Sequence, residues 1–318
     1  MKRLAILLAL SCPLLVMAQA DLRLKDPPAS AALFANGFIS TGQRERDMAL
    51  SPDGTELFYT IQSPLGLFQT ILHALKDGSG KWSKPEVASF AGKFSDLEPA
   101  FSFDGKKLFF CSNRPLAGDS IKDFDIWFVE KKNNTWGVPQ NVGEPVNTLA
   151  DEYYPSIAKN GNLYYTAAYK NGVGKEDIYK ATWENGRYTN VAPLDTAVNS
   201  LFYDFNAYVS PEETLILFTS FGRNDDRGRG DLYMSTKDKT GQWQHARNLK
   251  AINSDKLDYC PFVSFDKKIL FFTSERTSLS RSYPAVPATY ASLVDQFNSP
   301  GNGSGDIYWV DFTKLGKE

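Results

Sequence analysis

Glu98-Pro99-Ala100-Phe101-Ser102-Phe103-Asp104-Gly105-Lys106-Lys107-Leu108-Phe109-Phe110-Cys111-Ser112-Asn113-Arg114 reads as two short apolar strands joined by a tight Asp-Gly turn. The same phrase occurs as Ser51-Pro52-Asp53-Gly54 before Leu57-Phe58-Tyr59-Thr60. Degraded copies follow: Asn160-Gly161 before Leu163-Tyr164-Tyr165-Thr166, Ser210-Pro211-Glu212-Glu213 before Leu215 to Ser220, and Ser264-Phe265-Asp266-Lys267 before Ile269 to Ser274. From Asp53 through Asp104, Asn160 and Glu212 to Asp266 the steps are 51, 56, 52 and 54 residues. A period that long, filled with short apolar strands, marks an array of four-stranded units.

Two further landmarks recur in the same order. About 20 residues after the turn, and 40 after it in the last copy, an acid heads an apolar triplet, as in Asp125-Ile126-Trp127, Asp177-Ile178-Tyr179, Asp231-Leu232-Tyr233 and Asp306-Ile307-Tyr308. A lone aromatic, Trp82, Trp136, Tyr188 or Trp243, comes next and is expected to open a fourth strand. A single four-stranded unit cannot bury both faces, so the units must stack around an axis as the blades of an all-β propeller.

The phrase from Glu98 to Arg114, with Trp136-Gly137-Val138-Pro139-Gln140-Asn141-Val142-Gly143 and Val146-Asn147-Thr148, resembles the WD40-like β-propeller repeat of the TolB type. The resemblance covers nearly all of the chain after residue 20 and implies a secreted bacterial propeller. It implies no single activity, because such propellers serve as binding platforms, scaffolds and parts of enzymes.

The ends set the blade count. Gly37-Phe38-Ile39-Ser40 and Arg46-Asp47 align with Ala251-Ile252-Asn253-Ser254 and Asp258-Tyr259, so the N-terminal segment is the end of a repeat. After Tyr308-Trp309-Val310 no fourth strand remains, and residues near Ala31 to Ile39 are expected to complete the last blade and close a ring of five. A sixth blade would require degenerate strands between Thr277 and Gly305, whose Ser, Pro, Asn and Gly content reads better as an exposed loop. One domain, 21–318, follows a leader, 1–20.

That leader has Lys2-Arg3, an apolar run from Leu4 to Met17 and the small residues of Ala18-Gln19-Ala20, which predict a signal peptide cleaved after Ala20. The expected compartment is the periplasm or the cell exterior. Cys12 lies inside the apolar run, which argues against lipid attachment there. No other stretch has the roughly 18 apolar residues of a membrane span. With 35 basic and 37 acidic residues, and no dense basic run, nucleic acid is not the expected partner. Cys111 and Cys260 fall on repeats two and five and are read as buried free thiols, and the two histidines, His73 and His245, lack zinc-ligand spacing.

Counting eight residues back from each turn gives Glu45, Asp96, Glu152, Asp204 and Asp258, one carboxylate per repeat. Such a set is expected to ring the axis, where it serves either as inter-blade hydrogen-bond acceptors or as the site of a divalent cation or cationic ligand. No other cofactor is implied. The triplet aspartates fit side chains that close a turn. Arg114, Arg223 and Arg276 follow the second strand in three copies only and suit either an anionic ligand or an internal carboxylate.

The chain has no Gly-x-Ser-x-Gly elbow and too few histidines for a His-rich metal centre. The reading is therefore a non-catalytic platform for a protein, a peptide or an envelope glycan. The alternative is a glycosidase using carboxylates at the mouth of the channel. The segment Thr277 to Gly305, with Tyr283, Tyr290 and Phe297, and the loop Arg223 to Arg229 both follow second strands of adjacent repeats, so they are expected to share one face. The sequence leaves the oligomeric state open.

Overall fold

The computed structural model describes residues 20–279 and 287–315. The leader, with Cys12, and Tyr283 lie outside those residues. Among the described residues, no helix is long and apolar enough to cross a membrane.

Five antiparallel sheets form the ring. Blade 1 runs Arg44–Leu50, Glu56–Gln62, Gln69–Leu75 and Glu86–Val87 from inside out. Blade 2 runs Asp96–Phe101, Lys107–Ser112, Asp125–Lys132 and Gln140–Asn141, with a short extra strand, Thr135–Trp136, on the third. Blade 3 runs Glu152–Ile157, Leu163–Ala167, Asp177–Glu184 and Arg187–Pro193, and blade 4 Tyr203–Val209, Leu215–Phe221, Asp231–Thr236 and Arg247–Asn248. Blade 5 takes Asp258–Val263, Ile269–Ser274 and Asp306–Asp311 from the end of the chain and Ala32–Leu33 from its start.

That fourth strand is the expected clasp. Ala32 sits opposite Trp309 and Leu33 opposite Tyr308, and the Phe34 N–H donates to the Ile307 carbonyl at 2.9 Å. Phe34 and Ile39 then enter the apolar cluster between blades 5 and 1, beside Met48, Leu57 and Phe271. Four more clusters fill the remaining junctions, so each blade buries its two faces against its neighbours.

Two expectations need refinement. Tyr188 lies within a fourth strand, whereas Trp136 forms the extra hairpin strand of blade 2 and Trp82 and Trp243 make isolated bridges ahead of theirs. The segment from Thr277 to Gly305 is not all loop: Tyr290–Phe297 is a helix, capped by reciprocal bonds between Thr289 and Ser292.

Every inner strand carries a bulge at the same place. Its pairing shifts register between Arg46 and Ala49, Leu97 and Ala100, Tyr153 and Ser156, Phe205 and Tyr208, and Tyr259 and Phe262. Within each bulge one residue takes a left-handed φ: Asp47 (59°), Glu98 (60°), Tyr154 (51°), Asn206 (52°) and Cys260 (53°). A non-glycine residue rarely adopts such a conformation, and five in register mark a designed feature of the axis.

Candidate axial binding site

Six of the eight residues singled out by the repeat come together as three pairs at the junctions between blades. Each inner strand starts where its antiparallel second strand ends, so Asp96 faces Ser112, Asp204 faces Ser220 and Asp258 faces Ser274. Two residues further on, or three in blade 4, an arginine folds back. Arg114 reaches Asp96 at 2.5 Å, Arg223 reaches Asp204 at 2.8 Å and Arg276 reaches Asp258 at 2.7 Å. The same guanidinium also donates to the carbonyl of Phe90, Val198 or Ile252 in the preceding connection. These arginines therefore lock a carboxylate to a blade junction.

Glu45 and Glu152 occupy the same place without an arginine. Glu152 accepts from the Thr148 hydroxyl at 2.7 Å and the Tyr169 hydroxyl at 2.6 Å, and Glu45 accepts from the Thr41 N–H at 3.0 Å. Burial pushes both carboxyls up to about 7. The main chain ties four of the five acids to the preceding blade, as Glu45, Glu152, Asp204 and Asp258 donate to the carbonyls of Gly305, Phe124, Glu176 and Gly230. The triplet aspartates close turns as expected: Asp231 accepts from Arg227 N–H and Asp306 from Gly301 N–H.

The expected ring about the axis is formed instead by the bulge residues two places further along each strand, because the left-handed turn redirects them inward. Arg46 bonds Asp47 at 2.7 Å and Glu98 at 2.8 Å. Both Glu98 oxygens are engaged: one takes Arg46 and, at 3.3 Å, Asn206, and the other takes the Tyr154 N–H at 2.7 Å and the Cys111 thiol at 3.3 Å. The thiol of Cys260 meets Asn206 Oδ1 at 3.4 Å, and the Tyr154 hydroxyl donates to the Pro261 carbonyl at 3.0 Å. Contacts across all five blades make this a plug in the channel. Burial pushes Glu98 up to about 7 despite Arg46 and raises both thiols, so neither buried cysteine is a thiolate at neutral pH.

Glu98 also has a structural history in the repeat. Where three bulge N–H groups donate to a threonine of the preceding blade (Asp47 to Thr273, Glu98 to Thr60, Asn206 to Thr166), blade 2 has Cys111, and the Tyr154 N–H takes Glu98 in its place. No single residue type recurs at the bulge, so a search for repeated acids passes over it. The constant offset of six residues from the turn, and the prolines Pro99, Pro155 and Pro261 just after it, were the available signals.

The plug separates two mouths. On the face of the turns between first and second strands, the mouth is apolar, with Met48, Pro99, Ile157, Tyr208, Phe262 and Phe265. On the opposite face a polar cavity of about 480 Å³ opens above Arg46, Glu98 and Asn206 and is lined from all five blades. Its walls include Arg44, Gln62, Gln69, Tyr153, Glu176 and Tyr259, and none of the eight repeat-derived residues. Tyr259 is 3% exposed, yet its hydroxyl has no partner, nor has Arg44 Nε. Glu176 carries a carboxyl held by no hydrogen bond and pushed up to about 7 by burial, with Asp177 and Asp204 adding to the effect. Gly305, at φ 116°, passes beside these groups, and a Cβ there would meet Arg44 Cγ at 3.3 Å and the Tyr259 hydroxyl at 3.4 Å.

The face that carries the polar mouth also exposes apolar side chains, of which Leu65 lines the cavity itself. Leu65, Leu67, Leu116, Ile121, Leu149 and Leu201 all project from connections that emerge on this face, as do Tyr290 and Phe297 of the helix. Antiparallel alternation dictates the placement: loops from second to third strands and from each blade to the next share one side. Among the described residues no three His, Cys, Asp or Glu side chains group as metal ligands.

No protein-family model and no curated protein matches the chain. Solved structures do. They include TolB from Acinetobacter baumannii, at 12% identity and a TM-score of 0.47 over 85% of this chain and 55% of that one. The putative TolB from Agrobacterium tumefaciens matches at 16% identity and a TM-score of 0.49, over 85% of this chain and 91% of that one. A glycoside hydrolase matches at 8% identity and a TM-score of 0.52, over 86% of this chain and 91% of that one. The chain spans about half the length of the first of these. At such identities the likeness is one of fold alone, and the fold of this chain is a five-bladed β-propeller.

Proposed function

We propose that the chain is a non-catalytic binding propeller of the periplasm or cell exterior, which seats a group of a protein, peptide or envelope glycan in the polar axial cavity. The observation that carries the reading is a cavity lined from five blades in which Tyr259 and Arg44 keep unpartnered buried polar atoms, on a face that exposes several leucines. Orphaned polar groups cost free energy unless a ligand or ordered water satisfies them, and exposed apolar side chains on the same face add contact area for a partner. The glycosidase alternative needs two free carboxyls across a cleft. Glu98 is fully engaged by Arg46, Asn206, Tyr154 and Cys111, which leaves Glu176 without a second acid at this mouth.

The test is a face-specific binding experiment with the chain from Asp21 onward. Binding would be scored on a glycan array and a peptide array, with Leu65→Asp and Leu201→Asp on the polar-mouth face and Phe265→Asp on the other. Loss confined to the first two variants supports the reading. Loss confined to the third, or turnover of a glycoside by the unaltered protein, overturns it.

A further inference from the structure

Building on the axial cavity as the binding site, we infer that it selects a cationic group, an alkylammonium or guanidinium, and seats it on Glu176. The charges on this mouth do not balance. Arg46 is shared by Asp47 and Glu98, at 2.7 and 2.8 Å. Arg44 is held by Glu275 at 2.5 Å. That leaves Glu176 as the cavity-lining carboxylate with no counter-charge. The charged groups that face it reinforce the deficit: Asp177 follows it in the chain and accepts from the Gly174 N–H, and Asp204 across the junction already holds Arg223. Lys175, its other neighbour in sequence, is turned over the ring of Tyr203, 5.0 Å from its centroid.

The walls suit the same group. Tyr153 and Phe205 line the cavity with Glu176, and a cation placed between a carboxylate and aromatic faces gains both Coulomb and quadrupole attraction in a site partly shielded from water. The cavity already does this once, since the Arg46 guanidinium lies 5.2 Å from the centroid of the Tyr259 ring. A neutral glycan would offer hydroxyls to both Tyr259 and Arg44 Nε, whereas an ammonium or guanidinium donates to the Tyr259 oxygen and has no acceptor for Arg44, but only the cation gives the Glu176 charge a partner. A ligand that brings a positive charge also removes the cause of the raised proton affinity of Glu176, so proton and ligand compete for one carboxylate.

The sign of the pH effect follows. Below about 7 Glu176 holds a proton and the cation site is neutralised, and above it the carboxylate is free. Affinity for a cation must rise with pH through that region.

Calorimetry with three probes separates the outcomes: an acetylated tripeptide amide with a central lysine, its glutamine counterpart, and maltotriose. The lysine probe is expected to bind at pH 8 at least about tenfold more tightly than the glutamine probe, and to lose that margin at pH 6 and in Glu176→Gln. Glu176→Gln removes only an unbonded carboxyl, and its melting curve verifies that it folds. If maltotriose or the glutamine probe binds as well as the lysine probe and Glu176→Gln changes nothing, the cavity binds but the cationic inference is wrong. If none of the probes binds, while arrays locate a ligand on the opposite face, both readings fall.

Discussion

Two kinds of blade junction hold this ring together. At blades 2, 4 and 5 the first residue of the repeat-derived pair is aspartate and an arginine completes it. At blades 1 and 3 it is glutamate and no arginine is present. Asp204, Asp258, Glu45 and Glu152 all accept from a hydroxyl four residues back, and at blade 3 the Tyr169 hydroxyl meets the carboxylate in place of an arginine. One solution is a buried ion pair, whose worth depends on both partners being present. The other is a carboxyl that stays protonated near neutrality, and its contribution depends on pH.

The largest effect should come from the junction between blades 5 and 1. Removing residues 20–42 strips Phe34 and Ile39 from its core, Thr41 from Glu45 and the clasp from Asp306–Asp311. A chain starting at Gln43 is expected to lose cooperative unfolding, because the last blade presents an unpaired edge and the ring has no closure. A thermal melt as sharp and as high as that of the longer chain would refute the clasp.

At an ion-pair junction, Arg223→Met leaves Asp204 buried without its cation and should cost about 3 kcal/mol in chemical unfolding. Asp204→Asn with Arg223→Met together should recover part of that loss, as expected for a coupled pair. Equal losses in the single and double variants would mean that the arginine acts by packing alone.

The glutamate junctions respond to pH. Their folded carboxyls, raised to about 7, give stability that is complete below the ordinary carboxylate range and is lost as pH rises through 7. Glu152→Gln cannot lose a proton, so its melting temperature should match the unaltered protein near pH 5 and exceed it near pH 8. Parallel curves over that span would remove the proton from the account. The smallest effect is expected from Asp258→Glu, where one methylene crowds Arg276 and should cost about 1 kcal/mol.

Turn, triplet and period made the propeller and its clasp legible, because every blade repeats the same backbone problem and solves it with similar residues. The eight candidate residues were legible as positions, but their pairing was not. Asp96 and Arg114 are 18 residues apart and meet only once the register that sets Asp96 opposite Ser112 is counted. The plug was hidden for the opposite reason: Asp47, Glu98, Tyr154, Asn206 and Cys260 share a backbone conformation and no side-chain chemistry. Glu176 sits outside the repeated positions altogether. The helix Tyr290–Phe297 escaped a reading based on its Ser-, Pro- and Gly-rich surroundings, although Thr289 and Ser292 carry the cap that starts it.

Because Arg46, Glu98 and Asn206 stopper the channel, the polar cavity is a blind well with a single opening. Whatever enters must leave by the way it came, and the group that goes in first is the last to come out. Under the proposed binding role, such a vessel holds the end of a ligand rather than threading it through, so one opening governs both entry and release.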